Sequence, residues 1–287
     1  MTPQPSSANL IDPGCTQDGT AGLCLGRLRS SGVCFCCVGD LALLRFSENA
    51  VTLNNDIALW LKSQGGPVKT LVVASQKGGA GKTTCTSHLA VAAIQSGHGP
   101  VAVIDTDPQE TLSTWWNLRQ VDQPALIKGK VTTLADSLDK AKQAGIQICF
   151  IDTPPALGDQ TRDVLRLADL ILIPTRPSPA DLWALGSTLK LVNDVGKPFI
   201  FVITQAKANT RLTLQTMAAL SEHGPVASSI LGDRVDYASA LIDGRTALET
   251  ARSGIAAQEI MDLWVVIKER ISETAKGRNS VKGVKHG

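Results

Sequence analysis

The sequence predicts an α/β fold, a mostly parallel sheet with helices on both faces behind a poorly structured N-terminal extension. Three observations point there. Beyond Gly65-Gly66-Pro67, short apolar runs alternate with segments of helical spacing. Those runs scarcely alternate with polar residues, as strands buried on both faces require. The first run leads through a glycine-rich turn directly into a helical segment.

In chain order, strands are expected at 70–75, 100–105, 146–152, 169–174, 198–204 and 226–231. Helical spacing fills 83–96, 133–144, 180–195 and 210–222 between them. A last helix, about 256–274, places Ile260, Leu263, Trp264, Ile267 and Ile271 on one face. Residues 1–67 are rich in Ser, Gly, Asn and Cys and show only short helical patterns, such as 56–62. They read as an N-terminal extension, low-order or isoform-specific, with the compact domain opening at Val68-Lys69-Thr70 and running to 274. Residues 275–287 read as a basic, flexible tail.

Composition sets the bounds. The 287 residues are 43% hydrophobic and 19% charged, an ordinary globular balance. The net charge of +2 does not by itself call for nucleic acid, and 4% aromatics leave little for base stacking. No apolar run reaches the roughly 20 residues of a membrane span. The N-terminus lacks the basic start of a secretory leader, so a cytoplasmic location is expected. Seven cysteines, an odd count, argue against a disulfide framework. Cys85 and Cys149 fall in core elements and read as small apolar residues.

The chemistry concentrates at three places. Lys77-Gly78-Gly79-Ala80-Gly81-Lys82-Thr83-Thr84 follows a strand and opens a helix, the context of a phosphate-binding loop. Its glycines let backbone N–H groups close around phosphate oxygens, at the positive end of a helix. Lys82 can reach β- and γ-phosphates, and the Thr83 hydroxyl can ligate Mg²⁺. Val101–Asp105 is an apolar strand ending in carboxylates, Asp105-Thr106-Asp107-Pro108-Gln109. Ile148–Asp152 repeats the pattern, with Asp152 where a magnesium-binding aspartate belongs. Asp105 has a plainer reading as cap of the helix that follows. Trp115, Trp116 and Trp183 read as packing residues, and His88 and His98 as structural or solvated.

Together, Lys77–Thr84, Asp105–Gln109 and Asp152-Thr-Pro-Pro155 resemble the ParA/MinD family of deviant-Walker ATPases. The nearest likeness is to short-type plasmid partition proteins of the ParF/IncC kind, with a sheet of P-loop NTPase type. Pro174–Trp183 and Arg234–Gly244 resemble later blocks of the ParA branch. The resemblance implies ATP and Mg²⁺ as cofactors and an ATP-dependent homodimer. Lys77 would be the signature lysine reaching the partner's ATP, and Lys82 would bind phosphates in its own subunit. Gly78, Gly79, Ala80 and Gly81 would cradle the phosphates, and Thr84 would bind the α-phosphate. Thr83 and Asp152 would hold Mg²⁺, with Asp105 in support. Asp107 would position the hydrolytic water.

The same resemblance implies partition of a plasmid or chromosome, with hydrolysis stimulated by a ParB-like partner. Nonspecific double-stranded DNA would be bound through Arg211, Arg234, Lys268, Arg270, Lys276 and Arg278, placing the protein on the nucleoid. No membrane role is expected, since the tail offers only Val281 and Val284 as apolar anchors. The alternative is a ParA-like positioning ATPase for a cargo other than DNA.

Overall fold

The computed structural model describes residues 68–155, 158–207 and 210–282, together with three short strands nearer the N-terminus. The chain divides into two units, residues 1–60 and 61–287. In the first, β1 (Gly26–Arg27), β2 (Cys34–Cys36) and β3 (Leu44–Phe46) pair antiparallel in that order. The expected helix at 56–62 lies outside the described residues.

The second unit is built on a six-stranded sheet. Its strands are β4 (Lys69–Val73), β5 (Val101–Asp105), β6 (Ala125–Ile127), β7 (Ile148–Asp152), β8 (Leu170–Thr175) and β9 (Phe199–Ile203). Their order is β6-β5-β7-β4-β8-β9, and every pairing is parallel. The chain leaves β4, skips a place to form β5, and later fills the gap with β7. Such a reversal opens a crevice at the carboxyl ends of the strands. The register puts Val73 and Asp105 each beside Asp152, so loop and acids meet at that edge.

Successive strand residues serve opposite cores, because side chains alternate across a sheet. Leu71, Val73, Val103 and Phe150 face one side. There they meet α1 (Lys82–Gln95), α2 (Thr111–Leu118), α7 (Val235–Leu241), α8 (Ala247–Thr250) and α9 (Ile255–Lys282). Val72, Ile104, Cys149 and Ile151 face the other. They meet α3 (Leu134–Gln143), α4 (Asp159–Arg166), α5 (Pro179–Val195) and α6 (Arg211–Ser221). This two-sided burial explains the unalternating apolar runs in the sequence.

Four expectations change. Residues 226–231 form no strand: Val226 makes an isolated bridge to Phe201 of β9, and the Ala227 and Leu231 amides donate to the Phe201 and Ile203 carbonyls. The segment is also tied to α9, where the Ser229 hydroxyl donates to the Glu259 carbonyl and the Gly232 amide to the Glu259 carboxylate. The last helix continues to Lys282, well past 274, so much of the expected tail is helical. Trp183 is no packing residue, being 83% exposed on α5. Finally, β6 and the short helices α2, α4, α7 and α8 appear where the sequence left connections. Each spans eight residues or fewer, too short for a clear period. Among the described residues, no helix is long and apolar enough to cross a membrane.

Candidate functional site

The glycine-rich loop joins β4 to α1. Gly79 (φ +71°) and Gly81 (φ +87°) take left-handed conformations that a side chain would strain. Gly81 is the N-cap of α1, and it brings no side-chain hydrogen bond to the helix end. No acidic residue lies in the first turn. The first N–H groups of α1 are thus left for an anion, which the helix dipole favours.

Lys82 and Thr83 open that helix beneath the loop. Lys82 is buried, and its Nζ donates to the Lys77 carbonyl at 3.4 Å. Burial lowers its pKa, while the Asp152 and Asp107 carboxylates act in the opposite sense. The Thr83 hydroxyl donates to Asp152 Oδ2 at 2.5 Å. Asp152 is 1% exposed, and its Oδ1 is buried with no hydrogen-bond partner. Burial pushes its pKa up to about 7, against the pull of the Thr83 bond. A buried carboxylate with one unmet oxygen beside a hydroxyl fits a hard cation such as Mg²⁺. Thr106 and Thr153 fix the acid's backbone, Thr106 Oγ1 donating to the Asp152 carbonyl and Thr153 Oγ1 to the Val73 carbonyl.

Asp105 and Asp107 follow β5. Asp105 Oδ1 accepts from the Asp107 amide and Oδ2 from the Ser113 amide, at 3.1 and 2.8 Å. Both oxygens are therefore engaged in holding the turn and the start of α2, although the N-cap of that helix is Glu110 and not Asp105. Asp107 is half-buried and accepts from the Gln109 amide, one residue beyond Pro108. A cleft of about 450 Å³ opens beside it, lined by Asp107, Glu110, Lys128 and Lys130 among others. The cleft lies on the Asp107 side of the site and not over the glycine loop.

Lys77 sits half-exposed at the rim, between exposed Gln76 and Gly78. Residues that the sequence did not single out meet its neighbours in the loop. Ser187 on α5 donates to the Gln76 side-chain oxygen. Arg176, after β8, forms two side-chain hydrogen bonds to buried Asp181, at 3.0 and 2.9 Å. A Cβ added at Gly79 would lie 3.6 Å from Arg176 Nη1. After β9, Thr204 Oγ1 donates to the Ala80 carbonyl and Gln205 Nε2 to the Gly79 carbonyl, at 2.9 and 2.7 Å. The only signal for Arg176 was its block from Pro174 to Trp183. Thr204 and Gln205 gave none.

His88 is structural, as read. Its Nδ1 donates to the Thr84 carbonyl, so Nε2 is free to accept from the Ala247 amide. Burial lowers its pKa to about 4. Trp115 and Trp116 pack as expected, each indole N–H donating to a carbonyl, of Arg245 and Pro124.

The candidate DNA residues are scattered. Arg211 opens α6 and is exposed, as is Lys268 on α9. Arg270 pairs with Glu273 at 3.3 Å, and Arg234 grips Glu259 at 2.6 Å, with the Tyr237 hydroxyl on the same carboxylate. Lys276 and Arg278 lie on the last turns of α9.

Comparison with known proteins agrees with this geometry. The maintenance of carboxysome distribution protein A of Halothiobacillus neapolitanus is 31% identical over 202 residues, 67% of this chain and 92% of that protein. The virulence plasmid ParA family protein pGP5-D of Chlamydia psittaci is 21% identical over 73% of this chain and 98% of its own length. The fold matches that of the septum site-determining protein MinD of Pyrococcus horikoshii, solved with Mg-ADP. Its TM-score is 0.58 at 18% identity, covering 73% of this chain and 99% of that one. The family described as CobQ/CobB/MinD/ParA nucleotide binding domain matches residues 71–247, more than half of the sequence. With the loop, the two acid-ended strands and this match together, the chain belongs to the ParA/MinD family of P-loop nucleotide-binding proteins.

Proposed function

We propose that the protein is an ATP-driven switch of the ParA kind, which pairs two subunits around ATP and separates them on hydrolysis. The observation that carries the reading is the different burial of two lysines of one loop. Lys82 is buried and turned inward, while Lys77 stands at the rim, where a second subunit would approach. Gly79 and Gly81, both at positive φ, would let the loop amides close on phosphate oxygens, and Thr84, in the first turn of α1, would bind the α-phosphate. Thr83 and Asp152 would hold Mg²⁺, which when bound offsets phosphate charge. Lys82 adds a positive charge inside the subunit, and Asp107 would hold and orient a water. Asp105 supports the site by fixing the turn that carries Asp107. Loss of the γ-phosphate then removes what holds the two subunits together.

The cargo we propose is a plasmid or chromosome, with nonspecific DNA as the track and a ParB-like partner as stimulator. Exposed Arg211 and Lys268, with Lys276 and Arg278 by the resemblance, are the residues for phosphate contact; Arg234 and Arg270 already have carboxylate partners. A second reading keeps the cycle but moves a protein body instead. The 31% identity to a carboxysome distribution protein favours it. ATP hydrolysis should rise when duplex DNA and a cognate DNA-binding partner are added together. Stimulation by a non-DNA cargo adaptor alone would select the second reading. No Mg²⁺-dependent hydrolysis under any condition would refute both.

A further inference from the structure

We infer that Thr204 and Gln205 are positioning residues for phosphate binding: they clamp two successive carbonyls of the glycine loop and thereby aim its amides. The inference rests on the nucleotide reading above and extends it to residues outside the three motifs. Both residues lie just past the carboxyl end of β9, two strands away from β4. Thr204 Oγ1 donates to the Ala80 carbonyl and Gln205 Nε2 to the Gly79 carbonyl. In a trans peptide the C=O and the following N–H point in opposite directions. Holding the Gly79 and Ala80 carbonyls toward β9 therefore turns the Ala80 and Gly81 amides away from it. Those amides are the groups a phosphate cradle must present.

Two further facts separate this clamp from ordinary packing. Gln205 has φ +50°, in the left-handed region that non-glycine residues rarely adopt. It is also exposed, so burial does not compensate the strain. A glycine would take that conformation freely but could not reach the loop. The long amide side chain is what the position gains. Thr204, in contrast, is buried, and its methyl lies 3.7 Å from where a Cβ on Gly81 would stand. It thus bounds the loop sterically as well as by its hydrogen bond.

The test uses the full chain, a fluorescent ADP with Mg²⁺, and thermal melting without nucleotide. Gln205→Gly relieves the backbone and removes the donor. We expect its melting temperature to hold or rise while ADP affinity falls about tenfold, a combination that a merely structural role would not give. Gln205→Glu, which keeps the size but loses the donor, should weaken ADP to a similar degree. Thr204→Val should do the same, and Thr204→Ser, which keeps the hydroxyl, should restore binding. Wild-type binding with undiminished affinity in Gln205→Gly and Thr204→Val would overturn the clamp alone. Affinity losses that merely follow lowered melting temperatures and are not rescued by Thr204→Ser would also overturn it. Failure of the wild-type chain to bind ADP would overturn the nucleotide reading itself.

Discussion

The Thr83 hydroxyl donates to Asp152 Oδ2 at 2.5 Å, although 69 positions separate them in the chain. This contact joins the glycine loop to the acid that ends β7. It leaves the other Asp152 oxygen buried and unmatched. The fold therefore carries a local electrostatic cost at the site where a cation would be of most use.

That cost is measurable. The Asp152 pKa is raised from 3.8 to about 7, mainly by burial. Between those values the native state binds more protons than the unfolded state, so this group lowers stability as pH rises through the window. Asp152→Asn should then stabilise the nucleotide-free protein at pH 8, on the order of 3 kcal/mol. It should abolish Mg²⁺-dependent nucleotide binding in the same preparation. Chemical denaturation at pH 8 checks the first effect, and titration with Mg²⁺ and ADP the second.

His88 acts with the opposite sign. Burial lowers its pKa from 6.5 to about 4, so the native state binds fewer protons in that range. Its contribution is complete above pH 6.5 and is lost as pH falls toward 4. In the wild-type protein it offsets the Asp152 term over much of the same range, which flattens the profile. In Asp152→Asn the His88 term is no longer offset by that acid, and Glu249 and Glu259, whose pKa values are lowered, act in the same direction. That variant should lose on the order of 3 kcal/mol between pH 7 and pH 4. Denaturation midpoints across that range check it, and a flat profile would contradict the burial of a neutral His88.

Arg234 and Arg211 should behave differently although both lie in blocks that resemble DNA-binding segments. Arg234 holds Glu259, which also accepts from Tyr237 and the Gly232 amide. Arg234→Ala should cost about 1–3 kcal/mol of stability by leaving a half-buried carboxylate without its cation. It should leave the salt dependence of DNA binding nearly unchanged. Arg211→Ala or Lys268→Ala should leave stability within about 0.5 kcal/mol and reduce the salt slope by about one each. Melting curves and DNA titrations at several salt concentrations separate the two cases.

Much of the site was legible because its residues are local. A strand, eight loop residues and a helix start are consecutive from Lys69 to Thr84, and the acids mark strand ends. Parallel pairing then brings Asp105 and Asp152 level, which two apolar runs with terminal carboxylates already suggest. The clamp from Thr204 and Gln205 was not legible. It crosses 124 and 126 positions and depends on a single strained backbone angle. The partner of Arg234 was hidden for a similar reason, since Glu259 belongs to the helix that returns across the sheet. The end of that helix was misplaced because residues 275–287 are basic and contain glycine and were read as a flexible tail, yet one glycine costs only about 1 kcal/mol in a long helix.

In the proposed cycle, Lys77 serves the nucleotide of a second subunit while Lys82 and Asp107 serve their own. Mixing two inactive variants tests it most directly. Lys77→Ala should bind ATP but fail in stimulated hydrolysis. Asp107→Ala should bind ATP and remain paired without hydrolysing it. In a mixed pair, the Lys77→Ala subunit keeps its own Lys82 and Asp107 and receives Lys77 from its partner. Hydrolysis should therefore reappear on mixing, at roughly a quarter of the wild-type rate if subunits exchange at random in a symmetric pair. A Lys77→Ala variant that hydrolyses ATP normally by itself, or a mixture that stays inactive although mixed pairs form, would contradict the account.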